Sequence, residues 1–240
     1  MLQLEGCRNF RDLGGYPVDA GGATRGRRLY RADALGRLSA ADRAVLVKLG
    51  VRTVIDLRDE TELQRSPSVF PTDGIEYRWI PLLPPPVEEL DIFAPRDEIM
   101  LCIVNERGAY LRDAIQALAE PGTLPAVFNC SEGKDRTGLL AAIVLAAVGV
   151  SRKAIADDYA LSTRCLGESY LEEKRAFAAA RGWDWDMHRH LWECPPALIE
   201  RVLTEVDRRY GSVPAYLKHI GLVHDELARL RESLTVVGAG

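Results

Sequence analysis

The chain has 240 residues, 47% of them hydrophobic and 28% charged, with a net charge of -4. That composition is ordinary for a soluble globular protein and supplies a sizeable core, and its slight acidic excess excludes a general nucleic-acid footprint. Five scattered cysteines, Cys7, Cys102, Cys130, Cys165 and Cys194, argue against a disulfide framework and for a reducing compartment.

Residues 1–10 lack an apolar stretch of signal-peptide length. The long apolar run 139–150 falls short of the ~20 residues a spanning helix needs. The expectation is a cytoplasmic protein without a membrane span.

Asn9-Phe10-Arg11-Asp12-Leu13-Gly14-Gly15-Tyr16 opens the chain, and Gly21-Gly22 between short mixed runs predicts a hairpin. Leu29-Tyr30-Arg31-Ala32-Asp33 follows. Ser39 with Asp42 three residues on marks a helix start; Val45, Leu46 and Leu49 give its apolar stripe and Gly50 its end. Residues 51–57 are β-branched and predict a strand. Asp56 lies at its carboxyl end, the edge where ligands gather in open α/β sheets. A short helix is expected over 61–65 and an alternating strand over 75–82. Pro84-Pro85-Pro86 continues neither sheet nor helix, so 83–96 reads as a loop. Tyr110, Leu111, Ala114, Ile115 and Leu118 have helical spacing, stopped by Pro121 and Gly122.

The apolar run 125–128 leads into Asn129-Cys130-Ser131-Glu132-Gly133-Lys134-Asp135-Arg136-Thr137-Gly138, and 139–150 leads out. This predicts a strand, a tight anion-binding loop and a buried helix. A loop with Cys130 and Arg136 so spaced can curl round one tetrahedral oxyanion. Its N–H groups then point inward, and the following helix directs its positive end at the same place. Ser131, Glu132, Gly133, Lys134, Asp135, Arg136 and Thr137 are the candidate phosphate-binding residues. A thiol at Cys130 loses its proton readily beside a helix N-terminus and cations. Arg136 offers a planar fork for two phosphate oxygens. Gly133 suits a position of positive φ or close backbone approach.

Beyond the loop, Ser151 caps a helix over 152–162 with Ile155 and Tyr159 on one face. A charged helix is expected over 167–181, ended by Gly182. Residues 183–192 hold three of the four tryptophans with Met187, His188 and His190, and read as a lid or self-association surface. His188, His190 and Cys194 do not form a metal site by spacing: residues two apart on a helix do not face one another, and no second ligand pair is present. Pro195-Pro196 starts a helix with Ile199, Val202, Leu203 and Val206 on one face, and Leu227 and Leu230 dock a last helix. With no repeat or low-complexity linker, the chain is expected to be one domain over 1–240, with 165–195 as a helical lid or interaction segment.

The string Cys130-x-x-Gly133-Lys134-Asp135-Arg136-Thr137-Gly138 resembles the signature of the atypical bacterial protein tyrosine and dual-specificity phosphatases. These belong to the cysteine-dependent Cys-x5-Arg class, and some also dephosphorylate phosphoinositides. Asn9 to Gly15, Tyr30-Arg31-Ala32-Asp33, Asp56-Leu57-Arg58 and Asp157-Asp158-Tyr159-Ala160-Leu161-Ser162 are similar to the same family. The likeness is weakest over 83–107 and 165–195.

The resemblance implies an α/β three-layer fold with a mostly parallel central sheet flanked by helices. It implies a phosphomonoester hydrolase in which Cys130 attacks phosphorus to give a phosphocysteine, while Arg136 and loop amides stabilise the charge and Thr137 helps the thiolate leave. It implies no metal or cofactor, and a phosphorylated protein or small phosphomonoester as partner. For the general acid it points to Asp135, although neighbouring cations favour the ionised form and an acid must hold its proton. Asp56 comes second. Asp91 and Asp97 come third, because related phosphatases carry the acid on a loop there.

Two departures stand out. Asn129 replaces the usual histidine, so it can brace the loop by hydrogen bonds but brings no titrating proton. Glu132 replaces a small residue and opposes Lys134, which disfavours highly anionic phosphoinositides. A rhodanese-type sulfurtransferase, whose loops lack the Thr137-Gly138 continuation, and an inactive phosphate-binding module are the alternatives.

Overall fold

A computed structural model describes residues 4–68, 74–83 and 93–236. Its strands are β1 (Arg11–Asp12), β2 (Ala23–Thr24), β3 (Leu29–Ala32), β4 (Thr53–Asp56), β5 (Glu76–Trp79), β6 (Ala126–Asn129) and β7 (Thr235–Val236). Its α-helices are α1 (Ala40–Lys48), α2 (Glu60–Arg65), α3 (Arg96–Glu106), α4 (Gly108–Ala119), α5 (Asp135–Ala147), α6 (Arg152–Ala179), α7 (Trp185–His188), α8 (Pro196–Tyr210), α9 (Val213–His219) and α10 (His224–Leu234).

The main sheet has the order β1-β3-β6-β4-β5. β3, β6, β4 and β5 run parallel, and β1 is antiparallel to β3. The central strands are buried on both faces, so side-chain alternation sorts their residues between two cores. Phe128, Ile55 and Leu57 join a large core with α3, α4, α5, α8 and α10. Val127 and Val54 join a smaller one with Phe10, Tyr30, Leu35 and Leu46. Sheet, helices and the α1 side form the three expected layers. Residues 139–145 of α5 are buried on every side, which is why that run carries no polar stripe. Among the described residues no helix is long and apolar enough to cross a membrane.

Three local features go beyond the sequence pattern. First, α3 begins where the expected loop ends and fills residues to which the pattern assigned no element. Its buried face, Asp97, Met100, Ile103 and Val104, has helical spacing, but an aspartate stands at one core position and hides the stripe. Second, the two helices expected over 152–162 and 167–181 abut without a loop. They make up α6 as two helical stretches meeting at a kink at Gly167, whose φ of 74° and ψ of -179° are not helical, so two helices stand as expected and only the end of the first moves. Third, the Gly21-Gly22 turn does bring Thr24 back to Tyr16, with Thr24 N donating to Tyr16 O at 2.8 Å. β2, however, pairs with β7 near the far end of the chain, a contact that no local pattern encodes.

Candidate active site

β6 ends at Asn129 and α5 begins at Asp135, so residues 130–134 make a tight connection between a strand's carboxyl end and a helix N-terminus. The loop's carbonyls are taken from outside. Ala34 N donates to Ser131 O at 3.2 Å. Asn9 Nδ2 donates to Glu132 O at 3.0 Å and to Gly133 O at 2.9 Å. Arg31 Nη2 donates to Gly133 O at 2.8 Å. In a planar trans peptide the N–H points opposite to the C=O. With these three carbonyls drawn outward, the N–H groups of Glu132, Gly133 and Lys134 face the loop's interior. Gly133 has φ 63°, and a Cβ there would lie 2.4 Å from Ala32 O, so only glycine lets the loop sit against the end of β3.

The braces are themselves held from beneath. Asp158 of α6 accepts from Arg11 Nε at 2.9 Å, Arg31 Nη1 at 2.5 Å and Tyr16 Oη at 3.0 Å. Burial pushes the Asp158 carboxyl up, but Arg31 and then Arg11 more than offset this and hold it below the usual range. Asp33 Oδ1 accepts from Arg8 N and Asn9 N, both at 2.9 Å. The N-terminal strings and the Asp157-Asp158-Tyr159 string thus converge under one loop.

Cys130 is buried at the floor of the loop, 2% exposed. Arg136, in the first turn of α5, donates through Nη1 to Glu62 Oε2 at 2.5 Å and through Nη2 to Glu62 Oε1 at 2.6 Å. Ser131 Oγ donates to the same Oε1 at 2.5 Å. Glu62 is the third residue of α2, where it also closes a capping box with Asp59. Burial pushes its carboxyl up, but the hydrogen bonds and charge of Arg136 outweigh this and pull it down to about 2. Burial lowers Arg136, yet the Glu62 hydrogen bonds, then the charges of Cys130 and Glu62, leave it above its ordinary value. Glu62 takes both Nη atoms, and among the described residues Nε of Arg136 makes no hydrogen bond, which leaves it as a donor for an oxyanion.

Lys134 does not face into the loop. It is fully buried and its Nζ donates to Leu191 O at 2.7 Å, standing 3.6 Å from Asp135 Oδ2. Glu132 likewise points outward and pairs with Lys174 of α6. Burial raises Glu132, but the charges of Lys134 and then Lys174 bring it below the usual carboxylate range. These two residues tie the 165–195 segment to the loop, over a small core of its own made by Leu166, Tyr170, Ala178, Leu191 and Trp192. The side chains of both therefore stay out of the loop's interior, a lysine stem seated in a helix interface being unable also to reach inward, and what Glu132 and Lys134 offer an oxyanion is backbone N–H.

Asp56 shares the rim, since it pairs in register with Asn129. Its carboxylate is fully buried and already accepts from Arg58 Nε at 2.9 Å and Nη2 at 2.7 Å, from Ser68 Oγ at 2.8 Å and from Tyr77 Oη at 3.1 Å. An oxygen pair saturated with donors has no place for a proton to give, so this geometry speaks against the acid role expected of Asp56. Asp97 turns to α8, paired with Arg201 at 2.7 Å, and is not brought to the loop. Asp91 lies outside the described residues. Asp135 accepts from Tyr159 Oη at 3.2 Å and is partly open to solvent. Asn129 does not brace anything: its side chain is fully buried, and neither Oδ1 nor Nδ2 has a partner among the described residues. Thr137 Oγ1 is buried and unpartnered in the same way. His188 and His190 bond the carbonyls of Asp184 and Met187 through Nδ1, away from Cys194, whose backbone N is held by Thr163.

Sequence reading missed Glu62. Its only local signal is a capping box, which explains the residue without reference to Arg136, 74 positions away. Asn9, Arg31 and Asp158 sat in strings flagged by resemblance, but nothing in those strings said what they hold.

A strand-loop-helix unit with a buried thiol, outward carbonyls and an oriented guanidinium defines a cysteine-based oxyanion site of the phosphatase class. Residues 2–236 match the model of the tyrosine phosphatase family, and the chain belongs to that family. Among similar proteins, the triple specificity protein phosphatase PtpB of Mycobacterium tuberculosis is 28% identical, covering 95% of this chain and 97% of its own length. A tyrosine-protein phosphatase of Nostoc commune is 30% identical, covering 85% of this chain and 73% of its own. Solved structures similar to it include the Siw14 catalytic core, 16% identical over 76% of this chain and 97% of that one, with a TM-score of 0.41. Another is Pseudomonas aeruginosa TpbA, 20% identical over 70% and 88%, with a TM-score of 0.33.

Proposed function

We propose that this protein hydrolyses phosphomonoesters, protein phosphotyrosine foremost, through a phosphocysteine formed on Cys130. The observation that carries the reading is the loop itself, with three carbonyls held outward and Arg136 fixed by Glu62 beside a buried thiol. The Cys130 thiolate attacks phosphorus in line, inward N–H groups and Arg136 take up the equatorial charge, and the ester oxygen leaves. Asp135 gives that oxygen its proton, and Thr137 Oγ1 donates to the sulfur when water displaces it from phosphorus. The whole chain works as one unit, with 165–195 seated beside the loop.

Glu132 bears on substrate choice. By pairing with Lys174 it withdraws one cation from the loop mouth, and Leu191 withdraws Lys134. A site so depleted of free cations favours a single phosphate on an aromatic ring over a headgroup bearing several. Turnover of p-nitrophenyl phosphate, lost in Cys130→Ser, tests the mechanism; unchanged turnover in that variant would overturn it. A panel of phosphotyrosine, phosphoserine and phosphoinositide substrates tests the preference, and phosphoinositide as the best of the three would refute it.

A further inference from the structure

Tyr159 is fully buried in α6, where its ring packs on Gly138 so closely that a Cβ there would come within 2.7 Å of the ring. The ring therefore has one seat. From it the hydroxyl donates to Asp135 Oδ1 at 3.2 Å. Burial, and then the charge of Asp135, push the phenol well above its ordinary value, so Tyr159 stays a donor at any working pH. The other oxygen, Oδ2, faces Lys134 Nζ at 3.6 Å, beyond hydrogen-bond reach, because that ammonium is detained by Leu191 O at 2.7 Å. One carboxyl oxygen is thus occupied by a fixed donor, and the other is left without one from Tyr159 or Lys134.

We infer that Tyr159 is a positioning residue for proton transfer: by holding Oδ1 it fixes the Asp135 carboxyl so that the transferable proton rides on Oδ2. This rests on the reading of Asp135 as the acid. In the first step the Sγ–P bond forms, the P–O bond to the leaving group breaks, and the Oδ2 proton passes to the departing oxygen, leaving a carboxylate. In the second step water attacks phosphorus, the Sγ–P bond breaks, and the water's proton returns to Asp135. A carboxyl free to rotate would offer the proton in the wrong direction for part of the time, a cost felt only when the leaving group needs that proton.

The test compares Tyr159→Phe, which deletes one oxygen and keeps the ring, with the unaltered enzyme and with Asp135→Asn. Phenyl phosphate supplies a poor leaving group and p-nitrophenyl phosphate a good one. For Tyr159→Phe the expected result is a fall in kcat of roughly tenfold on phenyl phosphate, less than twofold on p-nitrophenyl phosphate, with KM and competitive inhibition by inorganic phosphate unchanged. Equal slowing of both esters with weaker phosphate inhibition would overturn the inference, because Tyr159 would then be supporting the loop. So would no slowing of either. If Asp135→Asn itself slowed both esters equally, the acid assignment would fall and this inference with it. If Asp135→Asn discriminated between them and Tyr159→Phe did not, only the positioning role would be lost.

Discussion

Replacing Glu62 by glutamine removes one charge and leaves the shape. In the native protein that carboxylate accepts two hydrogen bonds from Arg136 and one from Ser131, all at 2.5–2.6 Å, with the Arg136 and Glu62 side chains only 15% and 23% exposed. Breaking a fully buried pair by removing one partner costs about 3–5 kcal/mol, and an exposed pair contributes about 0–1. This pair sits between, so Glu62→Gln should destabilise by about 1–3 kcal/mol. For a chain of this size that is a fall in Tm of about 2–12 °C.

The pH dependence has a definite sign. Arg136 pulls Glu62 from the ordinary value of 4.5 to about 2 in the folded state. The stabilisation is therefore complete above pH 4.5 and drains away as pH falls toward 2, so the gap between variant and native Tm should close over that window. On activity, two effects compete. Losing the carboxylate removes a repulsion toward phosphate, but it also frees the guanidinium from its one orientation, and a misplacement of about 1 Å can cost a hundredfold in rate. Orientation should win. We expect kcat on p-nitrophenyl phosphate to fall about 10- to 100-fold while inhibition by inorganic phosphate changes less than about threefold. Tenfold tighter phosphate binding with kcat intact would refute the reasoning, since Glu62 would then be a competitor for the oxyanion site and not the group that aims Arg136.

Three further variants probe the loop's supports. Gly133→Ala forces a left-handed φ and a 2.4 Å approach to Ala32 O, so it should cost about 2–4 kcal/mol and weaken phosphate binding more than tenfold, read by thermal melting and by inhibition. Asn129→Leu replaces a buried amide whose polar atoms find no partner among the described residues; it should raise the urea midpoint by the equivalent of about 1–2 kcal/mol with turnover retained. Asp158→Asn leaves Arg11 and Arg31 buried without their shared countercharge and should cost about 3–5 kcal/mol near neutral pH. Because the Asp158 carboxyl is held below its usual range, that cost should shrink in acid, where both states bind the proton.

Much of this protein was legible as a string of residues. Apolar runs 51–57 and 125–128 found the central strands, the unbroken run 139–150 found the buried helix, and Ser39 with Asp42 found a capped start. These features are local: side-chain spacing and loop chemistry act within a few residues of where they are written. The loop from Cys130 to Arg136 belongs with them, because it lies between an apolar strand and an apolar helix, with Gly133 at the positive-φ position of the turn. What only the tertiary structure decided is which side chains meet. Glu62 reaches Arg136, Asn9 reaches the loop carbonyls and Tyr159 reaches Asp135 because parallel strands bring distant connections to one sheet edge. The same packing turned the side chains of Lys134 and Glu132 away from the pocket and surrounded the Asp56 carboxylate with donors. Charge and residue type set what a group can do, but direction and partner depend on contacts across the fold, and those have no period or motif in the sequence.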